Sequence, residues 1–302
     1  FREGRSCHQA LQKLDNTIMT KPVNHIIDAD IRWFFDNVDH DWLMRMLEEK
    51  IANKNFLKII KKFLKAGVME ERVLTPTEAG TPQGGLCSPI LSNIYLHYVL
   101  DLWFEKIIKK SMRGYVELVR YCDDFVICAE HESEAMMILD ELRKRLQKFG
   151  LELSEEKTKI VKFGRKAGND RGNTFNFLGF THFSDKTRKG YYKVGRKTER
   201  KRFVKSLKEM NQWMKSTRNL MCIKDWWKML SMKLRGYFAY YGCSGNMIWL
   251  KRYYSIVIKL VFKWMNRMSQ KKTFKWGKFN EYLNKYPLPK PKIYCNLYTL
   301  YG

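Results

Sequence analysis

Two adjacent carboxylates, Asp123 and Asp124, are the residues best placed to do chemistry. They lie in Tyr121-Cys122-Asp123-Asp124, between the apolar runs 116–121 and 125–129. Runs of this length read as strands joined by a tight turn. Asp is ordinary turn chemistry, and a solvated Asp-Asp turn is the plain alternative. Like charges side by side repel unless a cation neutralises them. Paired carboxylates on a rigid turn therefore point to a divalent metal, with hard, oxygen-preferring Mg²⁺ the natural candidate. A third carboxylate, Asp30, closes the apolar run 24–30. Adjacent strands would bring Asp30 to the Asp-Asp turn, within reach of two metal ions about 4 Å apart. Such pairs suit phosphoryl transfer: one ion activates a 3′-hydroxyl and the other neutralises a triphosphate and its leaving pyrophosphate.

The surrounding elements must position these residues. Ser6, after Arg2, Gly4 and Arg5, is an N-cap for a helix over 7–14. A helix after Asp39 and Asp41 carries Trp42, Leu43, Met46 and Leu47 on one face. A second amphipathic helix covers 55–66, and 68–75 reads as a short strand. Thr81-Pro82-Gln83-Gly84-Gly85 is a loop whose backbone can approach a ligand closely. Ser88 reads as an N-cap with Pro89 at N1, opening a long apolar helix over 90–109. A helix over 133–149 ends at Gly150. Glu155-Glu156-Lys157-Thr158 precedes a strand. Residues 174–183 read as one strand turning back in a hairpin with 191–194. From Thr198 the period is helical, with helices over 198–217, 223–241 and 246–269, then a short one over 278–285 and an extended tail over 287–291.

Charge divides the chain. Residues 1–185 carry 28 Lys and Arg against 27 Asp and Glu, while residues 186–302 carry 29 against 4, so nearly all of the net +26 lies in the second part. That part also holds six of the nine Trp, most of which read as bundle core. A basic, aromatic-rich part beside a neutral one suits a polyanion-binding module attached to a catalytic or scaffolding one. The charge is spread too widely for a membrane-surface helix. No apolar stretch approaches the roughly 18 residues of a membrane span. The seven Cys form no CxxC pair with a partner cluster, which argues against a zinc site and for reduced thiols. The sequence opens on Phe1, so the expectation is a chain that begins inside a longer protein.

Six motifs in order resemble those of reverse transcriptases: Phe1-Arg2-Glu3-Gly4-Arg5-Ser6-Cys7-His8, Asp30 to Asp36, Thr81 to Gly85 with Ser88-Pro89, Tyr121 to Asp124, Gly150-Leu151 with Lys157-Thr158, and Phe177 to Phe180. The Gln-Gly-Gly form and Leu234-Arg235-Gly236-Tyr237 resemble the bacterial group II intron reverse transcriptases, or maturases, over nearly the whole chain. The resemblance implies an α+β fold: a right-hand polymerase palm with partial fingers over 1–195, an all-α three-helix thumb (domain X) over 196–270, and a basic extension over 271–302. It makes Asp30, Asp123 and Asp124 the catalytic residues and, with the Ile31 carbonyl, the ligands of two Mg²⁺ ions, for which Mn²⁺ can substitute. Phe35 would pack under the incoming sugar, where a bulky ring disfavours a 2′-hydroxyl. Gln83 and Gly84 would touch the incoming nucleotide, and Lys157 the primer or triphosphate end. Phe177, Leu178, Gly179 and Phe180 resemble the primer grip. Arg2, Arg5, Arg196, Lys197, Arg200, Lys201 and Arg235 would hold nucleic acid through phosphates.

The partners implied are group II intron RNA, an RNA template with a DNA or RNA primer, dNTPs and a second copy in a homodimer, with no membrane; the location implied is the bacterial cytoplasm. The activity implied is RNA-directed DNA polymerisation with splicing assistance and retromobility. The alternatives are a non-catalytic RNA-binding maturase or scaffold, and a reverse transcriptase of another lineage, serving phage defence or a CRISPR-associated system. Two departures stand out. Segments that precede the Phe-Arg-x-Gly-Arg stretch in the family, with basic residues gripping the triphosphate, are expected to be missing. Cys122 stands where Ala is commoner. No endonuclease-like Cys/His cluster follows the thumb.

Overall fold

Strand-forming runs around the carboxylates pair into one antiparallel sheet, and apolar helices cover it. The structure is a computed structural model that describes residues 3–65, 68–70, 73–75, 80, 87–165, 172–268 and 275–298. Helix α1 (Cys7–Thr20) opens on a reciprocal cap, in which Ser6 Oγ accepts from the Gln9 N–H and Gln9 Oε1 accepts from the Ser6 N–H. It outruns its expected end at Leu14 because Leu14, Ile18 and Met19 continue the buried stripe begun by Leu11. Strand β1 (His25–Ala29) leads through β2 (Ile31–Arg32) and a 3₁₀ turn, Phe34–Asp36, to α2 (His40–Glu48). Asp39 Oδ1 caps α2 by accepting from the Trp42 N–H at 2.8 Å.

Helix α3 (Lys54–Lys65) follows, and the single strand expected over 68–75 is two, β3 (Val68–Glu70) and β4 (Val73–Thr75), paired antiparallel. Helix α4 (Ser88–Leu96) continues through two π-type segments, His97–Asp101 and Phe104–Ile108, to α5 (Lys109–Ser111). Ser88 is not the N-cap: it lies inside the helix and is buried, and Cys87 takes the cap position with no side-chain bond. Proline in the first turn tolerates this, since its missing N–H would have had no partner there.

Strands β5 (Val116–Tyr121) and β6 (Asp124–Ala129) form a hairpin, and α6 (Glu132–Lys148) follows. Gly150, at φ 70°, ends α6, with its own N–H on the Gln147 carbonyl and that of Leu151 on Leu146. Then come β7 (Glu152–Leu153), β8 (Lys159–Lys162), β9 (Thr174–Phe177), β10 (Phe180–Lys186) and β11 (Tyr192–Thr198). The run expected to be one strand is thus two, β9 and β10, because Leu178 (φ 49°) and Gly179 (φ 73°) make a turn with both residues left-handed.

The main sheet has the order β5-β6-β1-β8, with every pair antiparallel. Alternation sends Ile27, Ala29, Phe125, Ile127 and Ala129 to one face. There they join a core with Ile138, Leu142 and Leu146 of α6 and Tyr95 and Leu96 of α4. Each fully buried Leu or Phe contributes about 1.5–3 kcal/mol.

The chain divides into two compact units, one of residues 1–178 with 183–194, the other of 179–182 with 195–302. The second is built on α7 (Arg200–Thr217), α8 (Ile223–Tyr241), α9 (Met247–Met265) and α10 (Trp276–Lys285). Trp226, Leu230 and Leu234 of α8 pack with Leu250, Val257 and Val261 of α9 and Phe279 of α10. The Trp residues expected in a bundle core are there: Trp226, Trp227 and Trp264 are buried. Among the described residues no helix is long and apolar enough to cross a membrane.

Candidate active site

Sheet register brings the carboxylates together. In the β1–β6 pair, Asp28 faces Val126 and Ala29 faces Phe125. Continuing by one pair sets Asp30, just past β1, opposite Asp124 at the start of β6. In the β5–β6 hairpin Tyr121 faces Asp124, so Cys122 and Asp123 form the two-residue turn, with Cys122 at φ 60°. Asp123 is exposed, whereas Asp124 is half-buried with Oδ2 accepting from the Leu178 N–H at 2.9 Å.

Asp30 is fixed from the other direction. Its carbonyl accepts from the Ser154 N–H at 2.8 Å, and the Ser154 carbonyl takes the N–H groups of Lys157 and Thr158. That turn delivers Lys157, whose Nζ stands 2.5 Å from Asp30 Oδ2. Asp30, Ile31, Trp33, Phe35, Asp123 and Lys157 line one open cleft of about 420 Å³. Phe35 is half-buried in the cleft wall, 5.1 Å from the Phe34 ring.

The expected trio is therefore divided. Asp30 and Asp123 share the cleft, while the Asp124 carboxylate is engaged by Leu178. Burial pushes the Asp124 carboxyl up to about 7; the Leu178 N–H opposes this, and the charges of Asp123, Asp28 and Asp30 add to it. Among the described residues no group of three His, Cys, Asp or Glu side chains stands close enough to hold a metal ion. The donor set nevertheless suits one. Carboxylate oxygens are what hard divalent cations take, and a cation would relieve the mutual repulsion that adds to the effect of burial at Asp124.

Two contributors escaped the sequence reading. Asp28 adds a fourth carboxylate, its Oδ2 accepting from the Asn176 N–H at 3.2 Å. Its signal was available: it stands two residues before Asp30, and alternate strand residues share a face. Arg120 is the other. It donates Nε and Nη2 to Asp101 at 2.7 and 2.5 Å, and Nη1 to Asn93 Oδ1 at 2.8 Å and to the Cys122 carbonyl at 2.7 Å. It thereby ties the Asp-Asp turn to the helix that carries Asp101.

Of the remaining expected residues, Gln83, Gly84 and Arg2 lie outside the described residues. Gly80, which precedes the Gln-Gly-Gly loop, has its N–H on the Val38 carbonyl at 2.8 Å and its carbonyl 2.6 Å from His40 Nε2. Phe177, Leu178 and Phe180 are buried, and Gly179 between them is half-buried. Phe180 packs on Tyr240 and Tyr241. Arg196 corrects the phosphate-contact expectation. It is 1% exposed and donates Nη1 to the Ser244 carbonyl at 3.1 Å, so it serves packing. Lys197 is half-buried, and Arg5, Arg200, Lys201 and Arg235 are exposed.

Comparison with known proteins agrees with the motif resemblance. The sequence pattern of the family described as reverse transcriptase (RNA-dependent DNA polymerase) matches residues 1–182. The group II intron-encoded protein LtrA of Lactococcus lactis subsp. cremoris is 33% identical over 178 residues, covering 55% of this chain and 29% of that protein. An uncharacterised 91 kDa protein in the cob intron of Schizosaccharomyces pombe is 42% identical over 107 residues, 35% of this chain and 13% of that protein. The chain thus spans less than a third of the length of these relatives. Among solved structures, apo telomerase from Candida tropicalis aligns with a TM-score of 0.46 at 14% identity, over 92% of this chain and 46% of that one.

Proposed function

We infer what the chain does from one premise: it belongs to the reverse transcriptase (RNA-dependent DNA polymerase) family, and its fold is the mixed helix and sheet of that family. We propose that it is the polymerase part of a group II intron-encoded reverse transcriptase, joining deoxynucleotides to a primer 3′-end on an RNA template. The observation that carries this is the cleft that unites Asp30, Phe35, Asp123 and Lys157.

The residues divide the work. Asp30 and Asp123, with Asp124 beside them and the Ile31 carbonyl, would hold Mg²⁺, for which Mn²⁺ can substitute; when bound, it supplies Lewis-acid stabilisation of the attacking 3′-oxygen and the leaving pyrophosphate. Lys157 holds its cation against Asp30 in an exposed ion pair. Such pairs contribute about 0–1 kcal/mol, so Nζ can exchange the carboxylate for a triphosphate oxygen at little cost. Phe35 presents its ring to the nucleotide sugar and crowds a 2′-hydroxyl. Gln83 and Gly84 would receive the incoming nucleotide. The Leu178-Gly179 turn, bonded to Asp124, would meet the primer end as a primer grip.

In this proposal residues 1–195 act as palm with partial fingers and 196–270 as the thumb, domain X. The charge of residues 186–302, 29 Lys and Arg against 4 Asp and Glu, suits template–primer and intron RNA, whose phosphates give salt-dependent binding. The exposed Arg5, Arg200, Lys201 and Arg235 are the contacts of choice. Splicing assistance and retromobility would belong to the whole intron-encoded protein.

Primer extension on an RNA template tests the proposal. Asp123→Asn should abolish divalent-metal-dependent extension while leaving RNA binding intact; undiminished extension would refute the assignment. The same charge also supports a non-catalytic RNA-binding maturase. In that case wild-type protein fails to extend, and intron splicing proceeds equally with Asp123→Asn.

A further inference from the structure

Trp33 is a bulky residue held where bulky residues rarely sit. Its backbone is left-handed, φ 45° and ψ 46°, a conformation in which an L side chain crowds the following carbonyl. The turn requires this conformation. The Trp33 carbonyl accepts from the N–H groups of both Asp36 and Asn37, at 3.0 and 3.1 Å, and so closes the 3₁₀ turn that presents Phe35 to the cleft. Gly or Asn would satisfy the same turn with less strain.

Burial does not compensate for the choice of Trp. The residue is 65% exposed, the most exposed of the large aromatics but Tyr191 among the described residues. Trp33 is among the residues that line the Asp30–Asp123 cleft. The Arg32 guanidinium covers the ring at 4.3 Å from its centroid and steadies it. A strained backbone carrying an exposed indole beside candidate catalytic carboxylates points to use of the indole itself.

We propose that Trp33 is a stacking platform for a nucleobase in the Asp30–Asp123 cleft. The inference rests on the polymerase function proposed above. An aromatic face accepts any base, because every base has a π-face. The base can come from the incoming nucleotide or from the unpaired template strand, and the two sources make different predictions.

Trp33→Asn and Trp33→Phe separate the possibilities. Asn fits the left-handed turn, so its thermal midpoint should equal or exceed that of wild type; a residue that served only structure would lose stability instead. Stacking on an aromatic is worth about tenfold in affinity per base. If the incoming base stacks, Trp33→Asn raises the KM for dNTP about tenfold with kcat little changed. If the template base stacks, the Kd for a primer–template with a 5′ overhang rises about tenfold by fluorescence anisotropy, while that for a blunt duplex does not. In either case Trp33→Phe recovers most of the loss. Unchanged KM and unchanged overhang Kd in Trp33→Asn overturn the proposal while wild-type extension leaves the polymerase function standing. If wild-type protein does not extend, that function fails. The stacking proposal is then decided by anisotropy with the overhang and by equilibrium dialysis with dNTP, and unchanged affinity in both overturns it.

Discussion

Arg120 offers a sharp test of how the fold holds the Asp-Asp turn. Its side chain is 7% exposed and its guanidinium is shared between the Asp101 carboxylate, Asn93 and the Cys122 carbonyl. Replacement by Met removes the charge and leaves Asp101 without its bidentate partner. Removing one member of a buried ion pair costs about 3–5 kcal/mol. Asp101 is 23% exposed and keeps His97 Nδ1 at 3.2 Å, so the low end applies, about 3 kcal/mol. The same change frees the Cys122 carbonyl next to Asp123. A displacement of about 1 Å at a reacting group can lower a rate about a hundredfold. Chemical denaturation reads the first effect, and primer extension titrated with Mg²⁺ reads the second, with a higher metal requirement expected. A double variant, Arg120→Met with Asp101→Leu, separates them. Replacing both partners by apolar side chains restores stability, but it cannot restore the bond to Cys122, so extension should stay slow. The reasoning fails if Arg120→Met costs under about 1 kcal/mol, or if the double variant recovers rate together with stability.

Other perturbations are simpler. Phe35→Ala should let ribonucleotides into the product, lowering discrimination against them roughly tenfold to a hundredfold; paired dNTP and rNTP incorporation assays measure it. Glu117 is pushed up by burial, but Lys13 and Lys109 at 2.5 and 2.9 Å outweigh that and hold its carboxyl below the ordinary 4.5. A depressed folded-state value stabilises the protein above the unfolded value and loses that contribution as pH falls through it. Stability should therefore drop on acidification below about pH 4.5, and Glu117→Gln should flatten that slope in denaturation curves taken across the range. Gly80 is at φ 92°, and a Cβ there would stand 2.7 Å from the Asp36 carbonyl oxygen. Gly80→Ala should lower stability by about 1–3 kcal/mol, visible as a fall in thermal midpoint.

What was legible in the sequence was whatever a local rule controls. The paired Asp123 and Asp124, the apolar run ending at Asp30 and the helical period of α7 to α9 follow from adjacency and spacing, and the structure has them. What was not legible depends on long-range pairing. Arg120 reads as a strand cation until Asp101, 19 residues earlier, is seen to face it. Arg196 reads as one more basic residue in a basic segment, and only the approach of Ser244 shows that it is buried. The turn at Leu178-Gly179 was hidden because Leu is an unusual residue at φ 49°, and the one Asn of the run, Asn176, stands outside the turn. The Ser88 cap failed by one residue, since Cys87 gives no side-chain signal.

The two adjacent aspartates cannot be equivalent, and the hairpin is the reason. A two-residue turn leaves Asp123 outside the ladder and puts Asp124 inside it, opposite Tyr121. The first is then free to face the cleft with Asp30, and the second is drawn toward the sheet, where burial disfavours its charge. The Leu178 N–H opposes that penalty, and it comes from the turn that the motif resemblance assigns to the primer. Asp124 therefore links two turns: one carries Asp123, which lines the cleft with Asp30, the other the backbone proposed to face the primer end. In the function proposed above, the two identical side chains would serve two ends of one reaction because only Asp124 lies within the ladder.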